Sequence, residues 1–188
     1  EWARSVGGSG GDGINSVAST SDGGYIAGGY FGSNKIQVGD YTLDNKVIGY
    51  DDGMIIKYSS SGEVEWARSE GGNSSDYIYS VATTSDGGYI VGGYFRSSNI
   101  QVGDYTFTNS SEQESSGYMK FDGMIIKYEE KELVNVDVTK AEGIGGSSDD
   151  EITSVVATSD GGYIAGGYFT SSEIQVGDYT LDSNGGRD

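Results

Sequence analysis

The chain contains neither cysteine nor histidine. Without cysteine there are no disulfides, no thiolate metal sites and no cysteine nucleophile. Without histidine the commonest general base and transition-metal ligand is missing, and serine and cysteine triads lose their base. Positive charge is also scarce, with 11 Lys and Arg against 29 Asp and Glu and a net charge of −18. Nucleic-acid phosphates call for basic patches, so nucleic acid is not expected as a partner. No apolar run approaches the roughly 20 residues of a membrane-spanning helix, so no membrane insertion is expected. The acidity suits a soluble extracellular protein, or one that meets divalent cations.

What the chain has in abundance is glycine and tyrosine: 33 and 15 of its 188 residues, with a hydrophobic fraction of only 35%. Glycine weakens helices and tyrosine favours strands, so many short strands joined by tight turns are expected. The sequence Ser-Asp-Gly-Gly-Tyr-Ile-Ala-Gly-Gly-Tyr-Phe at 21–31 returns with little change at 85–95 and 159–169, each time followed by Ile-Gln-Val-Gly-Asp-Tyr-Thr. Ser21 and Ser85 are 64 residues apart, and Ser85 and Ser159 are 74 apart. Part of that difference is an insertion in the polar segment 108–121. A period of this size marks a supersecondary unit that buries its apolar face against its neighbours. The units run approximately 1–62, 63–133 and 134–188.

Turn signals divide each unit into strands. In the second, 78–84 forms strand A, the Ser85-Asp86-Gly87-Gly88 turn leads into strand B at 89–95, and Asp122-Gly123 opens strand C at 124–128. Strand D is clearest at 63–68. Between B and C, Gly103-Asp104 and its copies predict a two-residue hairpin with glycine at the first central position. The fold class is therefore all-β, a β-propeller-like array of about three four-stranded antiparallel blades. Small residues (Ser16 and Ala18, Ser80 and Ala82, Ser154 and Val156) suit strand A to the crowded centre. Trp66 suits strand D to the wider outer gap between blades. Glu1-Trp2-Ala3-Arg4 matches Glu65-Trp66-Ala67-Arg68, and Asp188 aligns with Asp52 and Asp122. Fewer than three full blades do not close a ring, so the chain is expected to be part of a longer array or to be completed by copies of itself.

The pattern Trp-x-x-x-x-Gly-Gly, a Ser/Asp-rich stretch, Asp-Gly-Gly-Tyr-Ile-x-Gly-Gly-Tyr and Asp-Gly-Met-Ile-Ile-Lys-Tyr resembles bacterial β-propeller repeats of the SBBP type over nearly the whole chain. The resemblance implies a blade fold and a secreted or cell-surface setting. It carries no catalytic residue to transfer. The third unit departs from the pattern, with Lys140 where the second has Trp66.

In an up-and-down meander the B–C and D–A connections share one face. That face gathers Asp12, Asp51, Asp52, Asp76, Asp122, Asp149 and Asp150. Calcium takes several oxygens from flexible polar loops, and Asp52, Asp76 and Asp122 are the candidate metal ligands for Ca2+, although aspartate in such turns also bonds its own backbone. The 108–121 insertion, with Tyr118 and Phe121 among polar residues, is the candidate contact loop, because insertions on one face of a repeat array often mark a binding surface. Recurrent tyrosines such as Tyr25 and Tyr30 are better explained by packing between blades than by sugar stacking. Lys57, Lys127 and Arg68 are expected in ion pairs with strand glutamates. The functional expectation is a non-enzymatic interaction module of a bacterial extracellular or surface protein, with a protein or glycan ligand. The alternatives are a self-assembling filament or sheath subunit, a carbohydrate-binding propeller, and a glycosidase-like enzyme acting through a carboxylate pair.

Overall fold

The computed structural model describes residues 1–110, 120–131 and 135–183, and among these there are sixteen strands and no helix. The first sheet runs in the order β1 (Asp12–Ser19), β2 (Tyr25–Phe31), β5 (Asp52–Tyr58) and β6 (Val64–Glu70). Between β2 and β5 stands the hairpin β3 (Lys35–Val38)–β4 (Tyr41–Asp44). The second sheet repeats this as β7 (Asp76–Thr83), β8 (Tyr89–Phe95), β11 (Asp122–Lys131) and β12 (Asn135–Ile144), with the hairpin β9 (Asn99–Val102)–β10 (Tyr105–Thr108). The third unit pairs β13 (Asp150–Ala157) with β14 (Tyr163–Phe169) and carries the hairpin β15 (Glu173–Val176)–β16 (Tyr179–Asp182). Every pairing is antiparallel. These are blade-like meanders, as the repeat predicts. The sheets span 12–70 and 76–144, so the segment at the head of the second sequence unit closes the first sheet by pairing with β5.

The hairpin glycines Gly39, Gly103 and Gly177 have φ of 59°, 58° and 59°, the positive value that primed hairpin turns require at their first central residue. The A strands of successive units lie against each other. The Val81 N–H donates to Ser16 Oγ at 3.2 Å, the Val155 N–H donates to Ser80 Oγ at 3.1 Å, and Asn15 Nδ2 donates to the Ile78 carbonyl at 2.8 Å. A larger residue at Ser16 or Ser80 would both crowd this contact and lose its acceptor.

The two glycines of Gly-Gly-Tyr do different jobs. A Cβ on Gly29, Gly93 or Gly167 would come within 1.9, 1.9 or 1.8 Å of the carbonyl oxygen of Gly13, Tyr77 or Glu151. Those carbonyls belong to the strand A segment where a bulge shifts the register. A Cβ on Gly28 would meet Val81 and Ile78 of the next unit at 2.5 and 2.7 Å, and one on Gly92 would meet Ile152 and Val155, both at 2.7 Å. One glycine accommodates the bulge and the other lets the next blade approach.

The main core fills the gap between the first two sheets. Ile26, Ile55 and Trp66 come from one side, and Ile78, Val81, Tyr89 and Val91 from the other. Trp66 is buried with its ring 5.8 Å from Tyr89, in the outer gap its size suggested. Trp2 repeats the contact on the first sheet, 5.6 Å from Tyr25 and 5.9 Å from Tyr58. At the third unit Lys140 stands in this place, its Nζ 5.7 Å from the centre of the Tyr163 ring. A cation over an aromatic face replaces the ring pair.

Candidate functional site

The B–C and D–A connections meet at one end of the blades. The Asp76 N–H donates to the Asp51 carbonyl at 2.7 Å, and the Asp150 N–H donates to the Phe121 carbonyl at 2.6 Å, stitching one unit to the next. Beneath these connections lies a repeated carboxylate network. Asp12, Asp76 and Asp150 each open a strand A. Each accepts from the N–H of Gly8, Gly72 or Gly146, at 2.8, 2.9 and 2.8 Å, and from the hydroxyl of Ser33, Ser97 or Ser171, at 2.8, 2.6 and 2.7 Å. The sequence places Asp in the right turn; what it does not display is that a glycine four residues before and a serine 21 residues after converge on one carboxylate.

Asp52 and Asp122 open the C strands and are also buried. Asp52 Oδ2 accepts from the Lys46 N–H at 2.8 Å, and Asp122 Oδ2 accepts from the Ser110 N–H and hydroxyl at 2.7 and 2.6 Å. The Oδ1 atom of each is buried without a hydrogen-bond donor. It presses on Gly71 or Gly145, where a Cβ would come within 2.3 Å of it. Burial pushes Asp52 up to about 6, Asp122 up to about 6 and Asp76 up to about 7. The nearby Asp52 charge raises Asp76 further, and Asp150 does the same to Asp122.

The three acids named as metal ligands thus belong, with Asp150 as a fourth, to two equivalent pairs, Asp52 with Asp76 and Asp122 with Asp150. Asp150 carries the same repeat position as Asp76, and that equivalence was the signal by which it could have been found. Among the described residues no three carboxylates gather as ligands for an ion. The oxygens of each pair are taken up by backbone N–H groups and serine hydroxyls or pressed on glycine. That donor set falls short of the roughly six to eight oxygens calcium takes.

The same end of the second blade carries a cluster of aromatic rings. Tyr77 and Tyr79 project from the bulged start of β7. Tyr30 lies 4.7 Å from Tyr77 between ring centres, Tyr94 lies 5.2 Å from Tyr77 and 5.7 Å from Tyr79, and Phe121 lies 4.4 Å from Tyr94. The Arg96 guanidinium sits 5.6 Å from the Tyr94 ring centre and 5.0 Å from that of Phe121. Tyr94 and Phe121 are buried and form the floor, while Tyr30, Tyr77 and Tyr79 are half-buried. The Tyr77 hydroxyl donates to Asp51. Burial and the Asp51 carboxylate push Tyr77 up, burial and the Glu151 charge push Tyr79 up, and burial pushes Tyr94 up. The hydroxyls therefore stay protonated and able to donate.

Phe121 is thus a supporting ring, and Tyr118 lies outside the described residues. Tyr77, Tyr79 and Arg96 were not singled out from the sequence, because attention to what repeats passes over what does not. The corresponding positions are Gly13 and Glu151 for Tyr77, Asn15 and Thr153 for Tyr79, and Gly32 and Thr170 for Arg96. At all three positions the second unit alone is aromatic or cationic. Half-buried rings with donor hydroxyls, edged by a guanidinium and carboxylates, can stack on an apolar ring face and hydrogen-bond its substituents. No protein-family model matches the chain, and no curated protein matches it in sequence.

Proposed function

We propose that the protein is a non-catalytic interaction module of a bacterial extracellular or surface protein, and that it binds a glycan through the face carrying the B–C and D–A connections. The observation that carries this reading is the departure of Tyr77 and Tyr79 from the repeat. Packing between blades is served at the same positions by Gly13, Asn15, Glu151 and Thr153, so large rings at this point of the second unit answer to something other than the fold. Saccharide rings offer the apolar face and hydroxyl rim that a platform of tyrosines with arginine and aspartate neighbours is suited to hold. The SBBP-type resemblance of the repeats supports the extracellular setting, and the acidity supports solubility there.

The test is a titration of the whole protein with a panel of neutral and acidic oligosaccharides, followed by tyrosine fluorescence and calorimetry. Tyr79→Thr borrows the residue of the third unit and so keeps the fold. It is expected to weaken binding by about tenfold, the loss of one good stacking contact. Absence of binding across the panel, or binding that Tyr77→Gly and Tyr79→Thr leave unchanged, would overturn the reading.

A further inference from the structure

At each junction between units, the B–C connection of one unit meets the head of strand A in the next. Both junctions lie within the chain, and the strands that meet at each are among the described residues. They use the same repeat positions with different side chains. At the first junction these are Tyr30, Gly32, Asp51 and Tyr77. At the second they are Tyr94, Arg96, Phe121 and Glu151.

The second junction carries a cation of its own. The Arg96 guanidinium lies 5.6 Å from the Tyr94 ring centre and 5.0 Å from that of Phe121. The Glu151 carboxylate accepts from the Tyr168 hydroxyl at 2.8 Å. Burial and then the Glu151 charge raise the Tyr79 hydroxyl while the Arg96 charge opposes them, so both charges act on one ring. Here a carboxylate and a guanidinium offset each other.

The first junction has the ring and the carboxylate without the arginine. Tyr30 packs on Tyr77 at 4.7 Å between ring centres, and Asp51 Oδ2 accepts from the Tyr77 hydroxyl. Asp51 Oδ1 lies over Gly32, 2.3 Å from where a Cβ on that glycine would stand. Among the described residues no lysine or arginine forms an ion pair with Asp51. Lys46 of the same connection gives its backbone N–H to Asp52 instead. Glycine thus stands where the next unit has arginine, and beside it are a half-buried tyrosine ring and a carboxylate. Ring faces in this molecule take either kind of cation, the guanidinium of Arg96 over Tyr94 and the ammonium of Lys140 at 5.7 Å from the Tyr163 ring centre.

From the side chain missing at Gly32, between the Tyr30 ring and the Asp51 carboxylate, we infer that the first junction receives an ammonium group of the ligand, and that the glycan is one with free amino sugars. The inference rests on the glycan reading and narrows it. The amine lies against Asp51 and over Tyr30, where a charge-assisted hydrogen bond and the ring face act together. The apolar face of the sugar extends over Tyr77 and Tyr79. An N-acetyl group removes the charge that this corner calls for, and a uronate places a like charge beside Asp51 and Glu151.

The probes are a glucosamine oligosaccharide and its fully N-acetylated counterpart of the same length. Each is titrated by calorimetry against the whole protein at slightly acidic pH, where the amines are protonated. The amine form is expected to bind about tenfold more tightly at low salt, an advantage that shrinks as salt screens it. Asp51→Asn keeps an oxygen for the Tyr77 hydroxyl and should reduce the advantage to about twofold or less. Gly32→Arg copies the second unit, supplies the cation from within and should do the same. Attraction to the net charge of −18 would survive either single substitution, so an advantage that persists in either variant overturns the inference. Equal binding of the two probes, or tighter binding of the acetylated form or of an oligouronate, overturns it as well and leaves the glycan reading standing. Absence of binding by both probes and by the neutral and acidic panel overturns the two together.

Discussion

β8 and β14 differ at one residue in seven, Val91 against Ala165, yet every residue of β8 is buried and none of β14 is. Ile90 is 0% exposed while Ile164 is 62% exposed. The strand sequence alone does not determine its environment. β8 owes its burial to β11 on its free edge and to β13 of the following unit across its face, whereas among the described residues β14 pairs with β13 alone. In a repeat array, the core is a property of adjacency.

The sharpest way to break the comparison is to add the same side chain to both strands. Gly92→Val drives branched carbons into Ile152 and Val155, which a Cβ would already meet at 2.7 Å, while the Cβ at Gly166 has nothing within 4 Å. Overpacking of this kind costs about 3 kcal/mol. Urea unfolding is expected to show that loss for Gly92→Val and a change within about 0.5 kcal/mol for Gly166→Val. Equal losses would show that the glycines serve their own strands and not the neighbouring blade.

The next effect concerns the filled junction between the first two blades and appears as a dependence on pH. Asp52 is raised to about 6 and Asp76 to about 7, above the usual carboxylate value near 4. For an acid raised in the folded state, the folded protein binds more protons than the unfolded chain between those values. Stability therefore falls as pH rises from about 4 to about 7, and the burial penalty is fully present above that range. Asp52→Asn keeps an oxygen for the Lys46 N–H and places an amide at the position of the donorless Oδ1. Its expected outcome is a gain on the order of 2 kcal/mol at pH 8, vanishing near pH 4, read from thermal unfolding across pH. An unchanged pH profile would remove Asp52 from the account.

A smaller effect separates Asp22, which is paired with a buried lysine, from Asp160, which has no lysine partner among the described residues. Lys57 is fully buried between Asp22 at 2.7 Å and Glu65 at 2.6 Å, both of which are half-exposed. Lys57→Met is expected to cost about 1 to 2 kcal/mol at pH 7, less than a sealed pair because water reaches both partners. Its counterpart Asp160→Ala, which has no lysine partner among the described residues and loses only the turn bonds from the Thr158 hydroxyl and the Gly162 N–H, should cost less than Lys57→Met. Lys57 holds Asp22 well below the usual carboxylate range. The stability from that pair is present above about pH 4 and lost as pH falls further, so the deficit of Lys57→Met should shrink in acid.

How much of this was legible depended on whether a feature repeats. The Asp-Gly-Gly turns, the Gly-Asp hairpins and the tryptophan in the outer gap could be read because period and turn chemistry are local. The bulge after Ile14, Ile78 and Ile152 could not, since it depends on which residue opposes which across two strands. The demand for glycine at Gly29 and Gly93 was hidden with it. The carboxylate pairs join residues 24 and 28 positions apart through burial that only packing creates. Tyr77 and Tyr79 were written plainly in the sequence. They were passed over because they break the pattern, and in a repeat protein the breaks are where a binding surface can differ from its scaffold.

The smallest expected effect rebuilds the third unit toward the second. Lys140 occupies the place of Trp66, exposed and paired with Glu142 at 2.8 Å, with its ammonium over Tyr163. Lys140→Trp would restore the ring pair that Trp66 makes with Tyr89. An aromatic pair contributes about 0.5 to 1.5 kcal/mol beyond its area, and the cation over the ring that it replaces contributes about 0.5 to 1 at an exposed site. The net gain should therefore be a few tenths to about 1 kcal/mol, seen as a higher urea midpoint and slower amide exchange in β13 and β14. A gain confined to exchange in those two strands, with the midpoint unmoved, would mean that the third unit opens on its own before the first two. A midpoint shift in step with exchange would mean that all three units unfold together, and that the lysine is a weak joint in a single cooperative core.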